Sequence, residues 1–501
     1  MSFVKKVASA SFWLSIASWI SSGISILTML IFARILSVEE FGLIATATLI
    51  TAFFELFSRL GTEAYLIKEE KLDKDDINTA WTIQLVAKLF IAFAIFLSAP
   101  LIAHYFNEPK LVLILKVLAI IPFIMAFANI GIGLLKKELA YKKLMLFDVN
   151  AKITSFALTL VALYFSTSFW VYIFGMVIYF VIITLSSYYF SPYRPTLCLK
   201  KLKLQFAFSQ WSLLKGFVNF FNTKCDQLIV SKFVGTAALG AFSIAQRIYE
   251  TASDVLITPF ITVLFPGLGQ LDKTSPTFSL IYHRTLIVTS LVIFLLAGLL
   301  AINAEALVEV ALGDAQKWQL VTYLLPIAAP LLITRILSFA LFDVFTLLNQ
   351  MKFLFKFELI TAIVSIVVLY LAVTLGDITT LVIARLVLTT LVCALLLLIL
   401  QQHISFSAIT FMLELLPIFT AAIVAFALCW PLQTIFLSHS PALLSIIIVS
   451  IGYCIVYIAT ILLMTALLKG RSDTYGFISE QLDNGKQLAK QKLFKPNVNH
   501  S

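Results

Sequence analysis

The sequence predicts an all-α protein that crosses a membrane many times. Its residues are 61% hydrophobic and only 12% charged, whereas soluble domains carry roughly 25% charged residues. A membrane helix needs roughly 20 mainly apolar residues, and the charges, prolines and glycines that interrupt this chain leave about fourteen such runs. They fall near 11–33, 41–63, 79–102, 112–135, 148–166, 169–190, 207–232, 238–264, 280–302, 320–348, 355–375, 379–401, 410–434 and 443–468. The third observation is where the cations lie. With a cytoplasmic N-terminus, that side receives Lys5 and Lys6, the lysines at 68–74 and 136–143, the basic stretch 194–203 and the tail. The other face receives Arg34, Lys110, Lys232 and Lys317, so the positive-inside rule places both termini in the cytoplasm. The net charge of +10 then follows from topology and anionic headgroups, with no nucleic-acid partner required.

Lys5 and Lys6 precede an apolar stretch in the manner of a secretion signal, but the stretch is too long and lacks a small-residue cleavage site, so it reads as a retained span. Cys198, Cys225, Cys393, Cys429 and Cys454 are scattered, with no CxxC, which supports neither a disulfide framework nor a zinc site. There is no GxxxxGK[ST], HExxH or GxSxG, and no interior loop is longer than about twenty residues, which leaves no room for a nucleotide-binding or catalytic domain. These features point away from an enzyme, and no cofactor or metal site is expected. Transport is the reading that remains.

Thr28–Ile50 recurs without a gap as Asp226–Ile248, pairing Leu30 with Leu228, Ile31 with Ile229, Gly42 with Gly240, Ala47 with Ala245 and Ile50 with Ile248. In each copy an apolar helix ends, a cation follows (Arg34 or Lys232), and a short loop leads through a glycine into the next helix. Such repeats mark two-half transporters with the substrate site between the halves. The expected organisation is an N-terminal lobe at 1–203 (spans 1–6), a C-terminal lobe at 204–403 (spans 7–12), two further spans at 404–468 and a cytoplasmic tail at 469–501. Both lobes keep the same topology, so they are parallel repeats.

The first span of each lobe carries a polar face. Ser11, Ser15, Ser18, Ser22 and Ser25 recur at spacings of three and four, as do Ser209, Ser212, Gly216, Asn219, Thr223 and Asp226. For span 1 the alternative is close helix packing through small residues. For span 7, Asn219, Asn222 and Asp226 favour a wet cavity. Charges within spans are normally paired or solvated, since each costs from about 2.5–3.5 kcal/mol upward at the centre of a membrane helix. Glu55, Arg59 and Glu63 follow one another at spacings of four, which reads as an intrahelical ion pair or a cavity lining. Lys215, Arg247 and Asp254 are further cavity candidates, while Lys152, Lys224 and Glu358 read as residues near span ends that snorkel to headgroups.

The runs RLGTEAYLIKEEKLDKDDINTAW, APLIAHYFNEPKLVLILKVLAI and LLKKELAYKKLMLFD, with CDQLIVSKFVGTAALGAFSIAQRI and PFITVLFPGLGQL in the second half, resemble the polysaccharide transporter branch of the multidrug/oligosaccharidyl-lipid/polysaccharide exporter superfamily. These are the Wzx-type flippases of bacterial envelope glycans. The similarity covers roughly 12–402 and weakens beyond. It implies fourteen helices in a V-shaped protein, with two six-helix lobes around a central cavity. The implied cargo is an oligosaccharide on undecaprenyl pyrophosphate, moved across the bacterial inner membrane by alternating access for O-antigen, capsule or exopolysaccharide synthesis. Asp226 stands at the family's Asp, although Lys224 and Cys225 replace the more usual Asn-Leu before it.

Such cargo needs cations for its pyrophosphate and hydroxyl or amide partners for its sugars. Lys215, Arg247, Arg59 and Arg385 are the candidates for the first task; Ser18, Asn219 and Asn222 are candidates for the second. With no nucleotide site, energy must come from elsewhere. One charge crossing 100 mV gains about 2.3 kcal/mol, so an inside-negative potential favours export of an anionic headgroup. Asp226, Glu250 and Asp254 are candidates for H⁺ or Na⁺ coupling. A polysaccharide polymerase and a chain-length regulator are expected partners besides membrane lipids. The alternatives are an ion-coupled exporter of drugs or small metabolites, which would need a net acidic cavity, and a scaffold for a glycan assembly complex acting through the tail.

Overall fold

The computed structural model describes residues 3–468 except 59–60, 70, 139, 257–267, 270, 274 and 440, together with residues 475, 476 and 479. The regular structure of the described residues is helical throughout: α1 (Phe3–Ile35), α2 (Val38–Glu55), α3 (Thr62–Lys68), α4 (Lys74–Phe106), α5 (Leu111–Leu118), α6 (Ile120–Ala126), α7 (Gly131–Lys137), α8 (Tyr141–Phe165), α9 (Phe169–Phe190), α10 (Leu202–Phe233), α11 (Thr236–Leu256), α12 (Pro276–Ile302), α13 (Ala304–Leu312), α14 (Gln319–Ala328), α15 (Leu331–Leu347), α16 (Met351–Leu375), α17 (Ile378–Leu400), α18 (Ala408–His439) and α19 (Ala442–Leu468). Ten of these helices are long and apolar enough to cross a membrane, and two bent pairs bring the number to 12. The pairs are 111–126 with 131–137, bent by 65°, and 319–328 with 331–347, bent by 45°. Two expected spans, 112–135 and 320–348, are therefore broken rather than straight. α10 and α11 lie at two further expected spans and fall outside this count.

Local chemistry explains where the helices start and stop. Ser37 accepts from Glu40 N at 3.1 Å while Ser37 N donates to the Glu40 carboxylate at 2.9 Å, a reciprocal cap that starts α2. Asp73 and Asp76 repeat the device at α4. Asn107 at φ 58° ends α4, and Asn349 at φ 58° follows α15, in the left-handed conformation that Asn tolerates. The expected span 41–63 stops early. α2 ends at Glu55, a short 3₁₀ turn covers 56–58, and Gly61 takes φ 63° ahead of α3. Glu55 and Glu63 therefore sit on different helices. Arg59 itself lies outside the described residues.

The chain packs as two compact units. One comprises Met1–Phe260, Val308–Ala328 and Gln350–Leu388; the other comprises Ile261–Leu307, Ala329–Asn349 and Thr389–Ser501. In the second unit α12 packs on α15, α18 and α19. A Cβ on Gly298 would fall 1.7 Å from the Tyr453 hydroxyl, Tyr457 donates to Leu291 O at 2.8 Å, and His283 meets Glu414 at 2.6 Å. Tyr475, from the tail, is buried and donates to Glu414 O at 2.7 Å.

The first unit is organised by the repeat. α2 packs along α11, and the matched glycines face each other. A Cβ on Gly42 would lie 1.8 Å from Thr236 O, and one on Gly240 would lie 2.7 Å from Val38 O and 2.8 Å from Gly42 N. Val38 and Thr236 are themselves matched positions, so each copy lays a carbonyl over the other's glycine. No residue with a side chain fits there, and the backbones approach closely enough for Cα–H···O contacts. The matched cations behave alike as well. Arg34 donates to Val310 O and Ala311 O in the last turn of α13, and Lys232 donates to Tyr105 O in the last turn of α4. Both sit at the negative end of a helix dipole. Thr46 and Ser231 share a hydrogen bond of 3.0 Å, and Lys317 and Trp318 both donate to Ala33 O.

The basic stretch after α9 is pinned to the start of α4. Lys200 pairs with Asp75 at 2.9 Å, Lys201 with Asp73 at 3.3 Å, and Gln205 donates to Asp76 O at 2.8 Å. The Asp76 backbone N–H, joined by Lys201, holds the Asp73 carboxyl below its ordinary range.

Candidate functional site

Two polar clusters lie within the first unit, and both depend on α10 or α11. In the first, Asp226 of α10 is only 3% exposed. Its carboxylate accepts from Gln227 N at 2.8 Å and lies within electrostatic reach of Arg385, Lys224 and Glu250. Arg385, on α17, donates to Asn222 O. The Asn222 amide donates to Glu358 O on α16 at 2.8 Å and accepts from Thr361 at 3.3 Å. A glutamine relay leads away to α11, from Gln227 to Gln246 at 2.8 Å and from Gln246 to Glu250 at 3.1 Å. Four helices are tied together around a buried carboxylate with a half-buried guanidinium within electrostatic reach, the condition under which charge is tolerated away from water.

The second cluster joins α1, α8, α9 and α11. Both oxygens of Asp148 are engaged by hydroxyls, with Ser21 at 2.8 Å and Tyr179 at 2.7 Å. One turn along α8, Lys152 donates to Ser25 Oγ at 2.9 Å and Ser21 O at 3.3 Å. Arg247 of α11 lies within electrostatic reach of Lys152 and Tyr172. The cluster therefore holds two cations against one carboxylate, each of whose oxygens accepts a hydroxyl. That excess of positive charge suits an anion.

The expected residues divide accordingly. Asn222, Asp226, Glu250 and Arg385 come together. Arg247 stands in the second cluster. Lys215 and Asn219 are exposed on α10, with Lys215 acting electrostatically on Glu358, and Ser18 is exposed on α1. Asp254 is partly buried near the end of α11. The Lys152 ammonium is engaged by two serines of α1. Asp148, Tyr179, Gln227 and Gln246 were not singled out from the sequence. For Asp148 a signal was present, since Asp148 and Lys152 sit four apart in an apolar run.

A family described as polysaccharide biosynthesis protein matches residues 31–323, more than half of the chain. The chain belongs to that family. The matched region includes Asp148, Lys152, Asp226 and Arg247 and stops short of Arg385. Among its relatives, the lipopolysaccharide biosynthesis protein WzxC of Escherichia coli K12 is 24% identical over 324 residues, 64% of this chain and 65% of WzxC. The match thus spans just under two thirds of that relative. The teichuronic acid biosynthesis protein TuaB of Bacillus subtilis 168 is 22% identical over 67% of this chain and 70% of its own. Among solved structures, the lipid II flippase MurJ in an inward closed conformation superposes with a TM-score of 0.75 at 13% identity, covering 91% of this chain and 99% of MurJ. An inward-facing multidrug resistance MATE transporter gives 0.58 at 15% identity, covering 76% and 92%. The fold is that of these transporters, and the protein is a multi-pass membrane protein.

Proposed function

We propose that the protein is a flippase that carries undecaprenyl-pyrophosphate-linked oligosaccharides across the bacterial inner membrane for surface polysaccharide synthesis. The observation that carries this reading is the Lys152–Arg247 pair, an excess of cation held inside a bundle of apolar helices. A pyrophosphate supplies the missing negative charge there, and the polyprenyl tail stays in the bilayer. The names of WzxC and of the lipid II flippase MurJ support the cargo class. In this reading the protein performs no covalent chemistry and needs no cofactor. The lobes are 1–203 and 204–403, both termini are cytoplasmic, and a polymerase and chain-length regulator receive the product. The Gly42–Gly240 seam is then the closed outer end of the pathway, which must part before release. Asp226, Glu250 and Asp254 are the groups for H⁺ or Na⁺ coupling, with Arg385 the resident competitor for Asp226.

Deleting the gene should abolish surface polymer and leave undecaprenyl-linked glycan on the cytoplasmic leaflet. Re-expression of the wild type should restore the polymer, and Lys152→Met with Arg247→Gln should not. Restoration by the double variant at wild-type levels would remove the pair from the mechanism.

A further inference from the structure

We infer that Ser21 and Tyr179 are positioning residues for the headgroup site: they hold the Asp148 carboxylate off Lys152, so that the ammonium is kept for a phosphate oxygen. This rests on the flippase reading above and concerns how that site stays open. Asp148 and Lys152 stand four apart on α8, with the acid on the N-terminal side, the spacing and order at which opposite charges on one helix face meet. Both are half-buried among apolar helices, where such charges attract more strongly than in water, and Asp148 does act on Lys152 electrostatically. Among the described residues that pair nonetheless does not close to within 4.0 Å.

Each partner is drawn elsewhere by the helices that pack on α8, which are α1 and α9. From α1 the Ser21 hydroxyl donates to Asp148 Oδ2 at 2.8 Å, and from α9 the Tyr179 hydroxyl donates to Oδ1 at 2.7 Å. Lys152 turns to Ser25 Oγ at 2.9 Å and Ser21 O at 3.3 Å. Ser21 therefore serves both sides of the open pair, its hydroxyl on the acid and its carbonyl on the base. The role of Ser25 is fixed as well, because its own proton goes to Ser21 O at 2.8 Å and leaves its oxygen to accept from Lys152. The registers agree. Ser21 and Ser25 are four apart on α1 as Asp148 and Lys152 are on α8, so one turn of each helix builds the arrangement.

The result is an ammonium with two of its three N–H groups on uncharged oxygens and, among the described residues, no acceptor for the third. Uncharged oxygens hold an ammonium in place without cancelling its charge, which a carboxylate at the same distance would do. With Arg247 within electrostatic reach, an incoming phosphate meets positive charge in place of a neutralised pair. Loss of either hydroxyl frees a carboxylate oxygen to compete with that phosphate for Lys152.

The test measures binding of undecaprenyl pyrophosphate, and of undecaprenol as its uncharged counterpart, to the full-length protein in nanodiscs by native mass spectrometry. Tyr179→Phe should weaken binding of the pyrophosphate lipid by roughly tenfold, the scale of one hydrogen bond to a charged group, with undecaprenol binding unchanged. Adding Asp148→Asn should return the affinity to within about threefold of wild type, because an amide cannot neutralise Lys152. Ser21→Ala frees the other carboxylate oxygen and should follow the same course, weakened alone and restored by Asp148→Asn. Hydroxyls that only brace the helices would give no such rescue. Wild-type affinity in both single variants, a loss that Asp148→Asn does not restore, or a loss shared by undecaprenol overturns the inference and leaves the flippase reading standing. A wild-type protein that binds the two lipids alike overturns both.

Discussion

The Asp226–Arg385 cluster and the Asp148–Lys152–Arg247 cluster are built from the same materials but balance differently. In the first, a buried carboxylate has a guanidinium within electrostatic reach, and amides bridge the surrounding helices. In the second, hydroxyls occupy the carboxylate and two cations stand beside each other. A closed charge balance ties helices together, whereas an open one has something left to bind. Burial alone does not distinguish a structural ion pair from a ligand site; what the charges still lack does.

The sharpest way to break the comparison is Arg385→Leu. It strands a carboxylate that is 3% exposed, so the protein should lose about 3–5 kcal/mol of stability, read as a lower unfolding midpoint in detergent. Adding Asp226→Leu should recover most of the loss. If Arg385→Leu alone leaves the midpoint unchanged, the first cluster is not balanced as described.

Next in size is the seam. Gly42→Ala should cost roughly 1–3 kcal/mol, as overpacking does, and more than Gly240→Ala, because the added methyl meets backbone at 1.8 Å in one case and 2.7 Å in the other. Thermal unfolding of the two variants side by side measures the order, and a reversed order would refute the packing described here.

The smallest effect on stability should come from Lys152→Met. The substitution gives up the attraction to Asp148 and relieves the repulsion from Arg247, while Asp148 keeps both hydroxyl partners, so the midpoint should move by an amount equivalent to about 1 kcal/mol or less. Surface polymer should nonetheless fall sharply. A variant that unfolds as Arg385→Leu does would place Lys152 in the structural class.

Much of this architecture was legible in the sequence. The helical membrane class followed from composition, and the repeat identified Gly42, Gly240, Arg34 and Lys232 as matched positions before any geometry was known. That these positions meet across the seam could not be read, because periodicity places a residue on a face without naming what that face touches. Arg385 was a candidate without a partner for the same reason; its contact at Asn222 is 163 residues away in sequence. The partners of Lys152 on α1 are not legible either, because apolar run lengths place a side chain along a span without naming what it meets. Glu55 and Glu63, eight apart in sequence, do not share one helix, because the left-handed Gly61 between them outweighs a regular spacing.

The seam carries a further consequence. Each copy of the repeat offers a carbonyl and receives one, at matched positions, which is the pattern of an isologous contact between identical partners. A half-length chain carrying one copy would satisfy the same contact by pairing with itself. Joined in one chain, the two copies must also let go together, because separating Gly42 from Thr236 O withdraws Val38 O from Gly240 in the same movement.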